Sequence, residues 1–541
     1  MSIFSIGLSG LNAARIAFNT TSNNIANVNT PGYNRELPIF AQSGASQGVT
    51  VADVQRQFDG YIASQLNAAN SKTSGLDAYQ TQVSQIDNLL ADEDSGLAPL
   101  MQKFFGSVAT LAGSPADPAA RQGVLGSADT LAAQFRSFDQ YLADMATGVN
   151  GQLSNEVSQI NNTARQIADL NTQITLAKAK LGQAPNSLLD QRDQLVADLA
   201  QHVNVTATAQ DNGTYNISIG NGQPLVSGGR QFTLQVVTSA ADPTSTVVGY
   251  DDAAGNVVEL ADSTFTGGTL GGLLMFRDET LNPTRSQLGQ LAVSLAQGVN
   301  AVHANGIDLD GNAGQAMFGV GNPQAFANQR NTGTASAAVA FDPANGAQLT
   351  ANDYDLKYDA ASNTFTITNL GTGEASSQAL GAGNALSVGG VTVTIDDPTQ
   401  LQDGDRFRVL PTRTAAAGFE NLIHDTSAIA AASAAGGSGN NENALALQDL
   451  QTQSTVGGKA AFNQAYAGMV SSVGSRTNII KVNLAAQQSL SDQLMAVQQS
   501  QSGVNMDEEA MNLVMYQQYY QANAKVIQTG STILDTILSL R

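Results

Sequence analysis

Two stretches at opposite ends of the chain decide the fold: SIFSIGLSGLNAARIAFNTTSNNIANVNTPGYNR at residues 2–35 and VNMDEEAMNLVMYQQYYQANAKVIQTGSTILDTILSL at residues 504–540. In the first stretch apolar residues recur every seven positions, at Phe4, Leu11, Phe18 and Ile25, with Leu8 between them. A period of about 3.5 residues is typical of a coiled-coil seam. The predicted helix ends before Pro31, because a proline disfavours the helical conformation of the residue that precedes it.

The C-terminal stretch carries two rows with the same spacing. One row is Leu513, Tyr520, Ile527 and Leu534, and the adjoining row is Tyr516, Asn523, Gly530 and Ile537. We predict that the two end helices pair as a coiled coil, and an ordinary helical hairpin closing one domain is the alternative. An isolated pair of this length is marginally stable. The pair therefore needs further neighbours, from this chain or from other subunits.

The chain between the two ends reads as long helices with inserted β-units. Helical spacing from about residue 128 to residue 181 would give a rod of roughly 75 Å. Further helices are expected at 61–90, 270–303 and 415–429, and a last one begins at about residue 445 or 457 and ends at residue 500. Alternating apolar residues and glycine-rich turns predict antiparallel strands within 203–265 and 335–410.

The sequence thus predicts an α+β multidomain fold with nested domains. The end helices form the innermost unit, a long α-helical bundle domain surrounds it, and antiparallel β-domains are inserted. The boundaries are 1–58 plus 504–541 for the terminal coiled-coil polymerisation domain, 59–202 plus 268–330 plus 411–503 for the long-helix bundle, 203–267 for a small β unit and 331–410 for an outer β-domain.

Composition excludes several classes of function. The net charge is −21, which argues against nucleic acid and anionic membranes as partners. The chain has no cysteine, so disulfides and thiol catalysis are excluded. No apolar run is long enough to span a membrane, and the first charged residue is Arg15. We therefore expect no cleaved secretory signal and another route of export.

The residues that usually carry chemistry form no recognisable constellation. His202, His303 and His424 have no second histidine or cysteine at ligand spacing, and each is expected to be structural or exposed. Residues 308–319 begin like a calcium loop but have Ala313 and Gly319 where that loop requires Gly and Glu. The prediction is a protein that is not an enzyme and has no catalytic, cofactor-binding or metal site.

Two motifs give a resemblance to a known family. Asn27-Val28-Asn29-Thr30-Pro31-Gly32-Tyr33 resembles the N-terminal signature of bacterial flagellar rod, hook and hook-associated proteins. The segment YQANAKVI at residues 520–527 resembles their C-terminal signature. Three interior stretches, LLDQRDQL at 188–195, GGLLMFRD at 271–278 and VNMDEE at 504–509, are similar to the hook-associated protein 1 family. The resemblance does not extend to residues 332–405.

This resemblance implies a structural component of the flagellum that polymerises at the hook–filament junction and connects hook to filament. It implies as partners other copies of the chain, the hook protein, a second junction protein and an export chaperone, with type III export to the cell exterior. The expected self-assembly interface is Phe4, Leu8, Leu11, Phe18, Ile25, Asn29, Pro31, Gly32, Tyr33, Leu513, Tyr516, Tyr520, Asn523, Ile527, Leu534 and Ile537. The expected chaperone site is Leu513, Tyr520, Ile527, Leu534 and Leu538.

Other functional classes remain as alternatives at this point. The outer β-domain carries Tyr354, Tyr358 and Phe407, which could bind a ligand if the protein were a secreted adhesin or carbohydrate-binding protein. The sequence favours the other reading of these aromatic residues, in which they fill a small core. A terminal helix lying on a membrane is disfavoured, because both ends contain few lysines and arginines.

Overall fold

The structure is a computed structural model that describes residues 3–43, 48–92, 96–182, 185–252, 255–342, 346–433, 437 and 439–539. In this part of the chain the α-helices are α1 (Ile3–Ala26), α2 (Gly60–Leu90), α3 (Leu97–Gly113), α4 (Pro118–Leu181), α5 (Asn186–His202), α6 (Gly268–Phe276), α7 (Asn282–Ala304), α8 (Glu442–Asp449), α9 (Phe462–Ser502) and α10 (Met506–Ser539). A π-helical turn, Arg277–Leu281, joins α6 to α7. No helix among these residues is long and apolar enough to cross a membrane.

The strands follow the same chain order. They are β1 (Glu36–Gln42), β2 (Val49–Arg56), β3 (Val205–Ala209), β4 (Tyr215–Ile219), β5 (Gln223–Ser227), β6 (Arg230–Gln231), β7 (Leu234–Thr238), β8 (Thr246–Asp251), β9 (Val257–Glu259), β10 (Phe318–Gly319), β11 (Gln324–Ala327), β12 (Ala337–Phe341), β13 (Tyr354–Asp359), β14 (Thr364–Asn369), β15 (Ala375–Ala379), β16 (Ala385–Val388), β17 (Val391–Ile395), β18 (Arg406–Leu410) and β19 (Glu420–Asn421). This mixture of long helices and inserted antiparallel strands confirms the predicted α+β fold.

The sheets are small and antiparallel. The outer β region contains one sheet in the order β11-β18-β13-β14-β15 and another in the order β12-β17-β16. The smaller β region contains the orders β3-β4-β5-β6 and β7-β8-β9. Tyr354, Tyr358 and Phe407 are buried in the apolar cluster of the outer region, so these rings fill its core.

Helix α4 is the longest element and starts earlier than the sequence predicted. Its first turn is fixed at Pro118, because the Asp117 side chain accepts a hydrogen bond from the Ala119 N–H and proline is tolerated at the first helical position. The helix runs for 64 residues and stops at Gly182, which adopts the left-handed conformation at φ 76°.

The main apolar core lies where α4 meets α3, α7 and the returning chain after the outer β region. Aromatic rings form a chain through it: Phe104 contacts Phe318, Phe318 stacks on Phe419, and the centroids of Phe419 and Phe135 are 4.6 Å apart. The buried side chains of the smaller β region, such as Val248, belong to the same core. The outer β region has a core of its own.

The helix predicted over residues 415–429 is wrong. The segment contains only short 3-10 turns and strand β19. Its backbone is held extended across α4, because Arg136 donates to the Phe419 carbonyl oxygen at 2.7 Å and Arg121 donates to the Ile429 carbonyl oxygen at 2.9 Å. Tertiary hydrogen bonds therefore override the helical propensity of this alanine-rich segment.

Candidate assembly site

The two chain ends pair as antiparallel helices, as the sequence predicted. The start of α1 lies beside the end of α10, since a Cβ on Gly530 would come within 2.7 Å of Ile3 Cγ2. Further along, a Cβ on Gly7 would come within 2.8 Å of Ile527, and one on Gly10 would overlap the side chain of Asn523. Glycine at these positions lets the two backbones approach closely.

The buried face of α1 is not the row of large side chains that the sequence singled out. It consists of small and polar residues that are themselves spaced by three and four, namely Gly7, Gly10, Ala14, Ala17, Thr21 and Asn24. The predicted row lies beside this seam: Phe4, Leu11, Phe18 and Ile25 are half-buried, and Leu8 is 54% exposed. The glycines make room for large side chains of the facing helix, since Ile527 lies against Gly7, and both Ile3 and Phe4 lie against Gly530.

On α10 the adjoining row supplies much of the seam. Tyr516 and Gly530 are buried, and Asn523 packs against Gly10. The other row lies along the edge, with Leu513 and Ile527 half-buried and Tyr520 and Leu534 exposed. Ile537 and Leu538 are more than half exposed near the end of the helix.

Many large apolar side chains stay exposed on the pair. We call this set the apolar flank; it consists of Ile3, Ile6, Leu8 and Ile16 on α1 and Met511, Val514, Tyr520, Ile533, Leu534, Ile537 and Leu538 on α10. Exposed apolar surface of this extent is typical of interaction sites. The hairpin of β1 and β2 covers another side of the pair. There the ring centroids of Phe40 and Tyr516 are 6.4 Å apart.

The motif at residues 27–33 forms a tight turn after α1. The Thr30 N–H donates to the Asn27 carbonyl oxygen at 2.9 Å, and Gly32 has a φ of 76°, which favours glycine. Asn29, Pro31 and Gly32 are exposed. The turn brings the Tyr33 hydroxyl back to donate to Asn24 Oδ1 at 2.7 Å.

Tyr33 is a stable hydrogen-bond donor in this position. Its burial raises the pKa of the phenol well above the usual value, and the carboxylates of Glu36 and Asp190 raise it further. The hydroxyl therefore stays protonated at neutral pH, and its bond to Asn24 fixes the turn against α1.

A buried polar cluster connects the turn to the start of α10. Glu509 is 1% exposed and accepts from Arg35 Nε at 2.7 Å and from Asn24 Nδ2 at 3.2 Å. Arg35 NH1 also donates to the half-exposed Glu508 at 2.7 Å. The arginine thus bridges the first turn of α10, where the helix dipole already favours carboxylates.

A second polar cluster connects the turn to α5. The side-chain amide of Asn34 donates to Asp190 at 2.6 Å, and Arg56 bridges Asp190 at 2.9 Å and Asp193 at 2.6 Å. Burial disfavours the charge of Arg56, but the two carboxylates outweigh that effect and raise its pKa. Next to it the guanidinium of Arg192 lies 3.4 Å from the centre of the Tyr215 ring.

We name the two clusters together the polar joint: Asn24, Tyr33, Asn34, Arg35, Arg56, Asp190, Asp193, Glu508 and Glu509. Sequence reasoning missed these roles except for the turn residue Tyr33. Two signals were available: LLDQRDQL and VNMDEE carry Asp190, Asp193, Glu508 and Glu509 but served only as marks of resemblance. Their partners lie far away in sequence, so spacing could not reveal the pairs.

No group of three or more metal-ligating side chains occurs among the described residues. His303 is buried between the Ala430 N–H and the Gln315 carbonyl oxygen, and burial lowers its pKa. His202 contacts Glu156 at 2.7 Å. Both histidines bond to neighbouring elements of the fold.

Comparison with known proteins assigns the chain to a family. A model described as "Flagellar hook-associated protein FlgK helical domain" matches residues 83–318. The flagellar hook-associated protein 1 of Salmonella typhimurium is 41% identical over 557 residues, which cover all of both chains. The chain belongs to the flagellar hook-associated protein 1 family. The member from Escherichia coli is also 41% identical over the full length of both chains, and the member from Bacillus subtilis is 23% identical.

The ends and the fold agree with this assignment. Models for the flagellar basal body rod proteins match residues 4–34 and 498–540. The solved structure of the flagellar hook junction protein FlgK from Burkholderia pseudomallei superposes with a TM-score of 0.75 at 31% identity, covering 81% of this chain and all of that one. The predicted structural role at the hook–filament junction is thereby confirmed at the level of the family. The adhesin alternative finds no support among these relatives.

Proposed function

We propose that the terminal helix pair is the self-assembly element of this flagellar junction protein. The apolar flank would pack against neighbouring subunits and against the hook protein on one side and a second junction protein on the other. The observation that supports this proposal is the exposure of large side chains on the pair, with Leu534 50% and Ile537 61% exposed. Each of the eleven side chains of the apolar flank is 36–67% exposed, so covering the rest of each would contribute about half of the roughly 1.5–3 kcal/mol of full burial.

The proposed interface also includes the half-buried residues of the predicted row. Phe4, Leu11, Phe18 and Ile25 border the seam, so a neighbouring helix could cover their remaining surface. The exposed turn residues Asn29, Pro31 and Gly32 would add polar and backbone contacts. The buried Tyr516 and the seam residue Asn523 would act by holding the pair together rather than by touching a neighbour.

The test is the double substitution Ile533→Asp and Ile537→Asp, both exposed and outside the expected chaperone site, in a flagellated strain that lacks its own copy. We expect normal secretion of the variant but loss of attached filaments, counted by electron microscopy. The matched control is Gln517→Glu, which adds a charge at an exposed polar position of the same helix. Attached filaments in normal number with the double variant would contradict the proposal.

The exposed side of α10 is also our proposed site for an export chaperone. Tyr520, Leu534 and Leu538 are exposed, whereas Leu513 and Ile527 are half-buried beside α1. A groove that accepts an amphipathic helix would reach all five side chains once α10 has separated from α1. Chaperone binding and pairing of the chain ends would then exclude each other.

Removal of residues 513–541 should abolish co-purification of the full-length chain with the chaperone. A control variant with Leu8→Asp changes the apolar flank on α1 only and should retain binding. Chaperone binding that survives the deletion would refute the site.

The proposal places the protein outside the cell, exported through the flagellar type III channel, with a non-enzymatic role and no role for nucleic acid or membrane.

The division into four nested units is part of the same proposal. Residues 1–58 and 504–541 would form the polymerising unit, and 59–202, 268–330 and 411–503 the helical unit. The β units at 203–267 and 331–410 would face outward. The outer β region has an apolar core distinct from the main core, and Val293 of α7 contributes to it, so this unit packs on the helical unit.

A further inference from the structure

The chain leaves the outer β region at the end of β18 and packs at once against helix α7. The Thr412 hydroxyl donates to the Ser286 carbonyl oxygen of α7 at 2.8 Å, and a Cβ on Gly289 would overlap the Thr412 carbonyl oxygen. This close approach fixes the backbone that carries the next residue. That residue is Arg413, and only 6% of it is exposed.

Arg413 is the centre of a buried ion triad. Its Nη1 donates to Asp242 Oδ2 at 2.8 Å, and Asp242 lies between β7 and β8 of the smaller β region. Its Nη2 donates to Asp353, which immediately precedes β13 of the outer β region. The side chains of Arg413, Asp242 and Asp353 are 7%, 6% and 13% exposed, so solvent and salt screen their charges little. One guanidinium thus joins the two β regions.

The loop between β7 and β8 prepares Asp242 for this contact. The Thr244 N–H and the Thr244 hydroxyl both donate to Asp242 Oδ1, at 3.0 and 2.5 Å, while Oδ2 accepts from the guanidinium. Burial alone would raise the pKa of Asp242, but Arg413 and Thr244 outweigh it and keep the pKa below its usual value. At Asp353 burial has the larger effect and raises the pKa. Asp242 is therefore the stronger partner of Arg413.

The boundary between the two β regions is polar. Their buried apolar side chains belong to different clusters, one within the main core and one in the outer β region. Between the regions lies a cleft of about 490 Å³, lined by Arg406 and Arg408 of β18 and by Glu259 and Asp262 at the end of the smaller β region. Close-packed interiors contain few voids even as large as one water molecule, so charged and polar groups define this boundary.

The other contacts of the outer β region constrain its direction less. On α7 it packs on Val293, and contacts along a single helix allow a tilt about that helix. Towards the smaller β region, the Gln329 N–H donates to the Ala240 carbonyl oxygen at 2.9 Å, which is a single uncharged bond. Arg330 lies 3.3 Å from Glu259, but this arginine is 57% exposed, so the pair contributes little.

We infer that Arg413 is a positioning residue that sets the direction of the outer β region relative to the smaller β region, acting through Asp242. Its bonds are charge-assisted and shielded from solvent, and the planar guanidinium makes them directional. Loss of one member of the triad leaves the others as buried charges without their partner, which favours an opened boundary that admits water. The inference concerns residues outside the terminal helices and does not rest on the assembly proposed above.

The test measures a distance between the two β regions in the full-length soluble chain. Because the chain has no cysteine, Thr208→Cys in β3 and Ser376→Cys in β15 introduce the only two sites for spin labels, and both positions are exposed. We expect a single narrow distance peak by pulsed electron spin resonance. Arg413→Met and Asp242→Asn should each broaden or shift that peak. The matched control Glu259→Gln removes the exposed pair across the same boundary and should keep it.

Each of the other outcomes overturns the inference. They are an unchanged peak in Arg413→Met, a broad distribution in the unsubstituted labelled chain, and loss of the peak in the Glu259 control. Circular dichroism should show the same helix content in all variants, so that a changed distance reports the direction of the region and not unfolding. If Arg413→Met does not fold, Asp242→Asn decides, since it preserves shape and removes the charge. Failure of both variants to fold would assign the triad to stability alone and would also overturn the inference.

Discussion

Helices α4 and α1 both follow a three–four spacing, yet they bury opposite kinds of residue. Along α4 the buried positions are large, such as Phe135, Phe138 and Leu142, and they are completed by the same chain. Along α1 the buried positions are glycine, alanine, threonine and asparagine, and the large side chains remain half-buried or exposed. Helix α4 therefore belongs to a core that this chain completes by itself. Helix α1 belongs to a pair whose apolar flank stays exposed.

The residues that stabilise the helical region are therefore different from those proposed for assembly. The aromatic chain around Phe419 holds the helical region together without any neighbour. The terminal pair has a thin seam and a polar joint, and its largest apolar side chains contribute little to the isolated fold. Substitutions in the two regions should therefore have separable consequences.

The largest effect on stability is expected from Phe135→Ala in α4. The ring is fully buried against Phe419, and loss of such a ring costs about 3–5 kcal/mol. Urea unfolding followed by circular dichroism measures the change. Leu176→Ala on the same helix is the control, since this side chain is 56% exposed and should alter stability by no more than about 0.5 kcal/mol. An equal loss of stability at both positions would show that burial of the Phe135 ring is not the cause.

Replacing a glycine by alanine should have a smaller effect on stability, and the effect should be stabilising in α4 but destabilising in the terminal pair. Gly148 lies in mid-α4 with open space around it, so Gly148→Ala should stabilise that helix by about 1 kcal/mol. Gly10→Ala places a methyl group onto Asn523, which should open the terminal pair and raise amide exchange along α1. Exchange in α1 that stays unchanged in Gly10→Ala would show that the pair does not need its close seam.

The smallest effect is a pH dependence confined to the helical region. Burial and the neighbouring Asp262 carboxylate raise the pKa of Asp278 to about 6, against the attraction of Arg277. The folded state thus holds this proton more tightly than the unfolded chain does, and the stabilisation is lost as pH rises through 6. Asp278→Asn should raise the thermal midpoint at pH 7 by about 1–2 °C, since the side chain is half-exposed.

The difference between Asp278→Asn and the unsubstituted chain should vanish below pH 4, where both are uncharged at this position. Differential scanning calorimetry at pH 4 and pH 7 provides the comparison. A midpoint raised equally at both pH values would show that the charge of Asp278 is not the cause.

The sequence predicted the pairing of the ends because a heptad pattern is a local and repeated signal. It failed to place the seam, because glycines at positions 7 and 10 act through the absence of a side chain and have no hydrophobic signal. Pattern reading selects large apolar residues, which here form the flank. The start of α4 was missed for a related reason, since its cap at Asp117 and Pro118 has no periodic apolar signal.

The polar joint could not be predicted from spacing at all. Asn34 and Asp190 are 156 positions apart, and Arg35 and Glu509 are 474 positions apart. Each of these residues alone is an ordinary polar residue at a helix end or a turn. Only the folded chain brings them together, whereas the buried residues of α4 reveal themselves by their periodicity.

The hairpin of β1 and β2 gives the terminal pair a front and a back. The Ser9 hydroxyl accepts a hydrogen bond from the Val49 N–H, and Phe40 packs against Tyr516. The hairpin of the same chain therefore already covers one side of each pair. Two copies that meet through unlike sides repeat the same step again and again, whereas contacts through like sides close after two copies. If the pairs assemble as proposed, a one-sided covering of this kind would give the row of subunits a direction, with two chemically distinct ends.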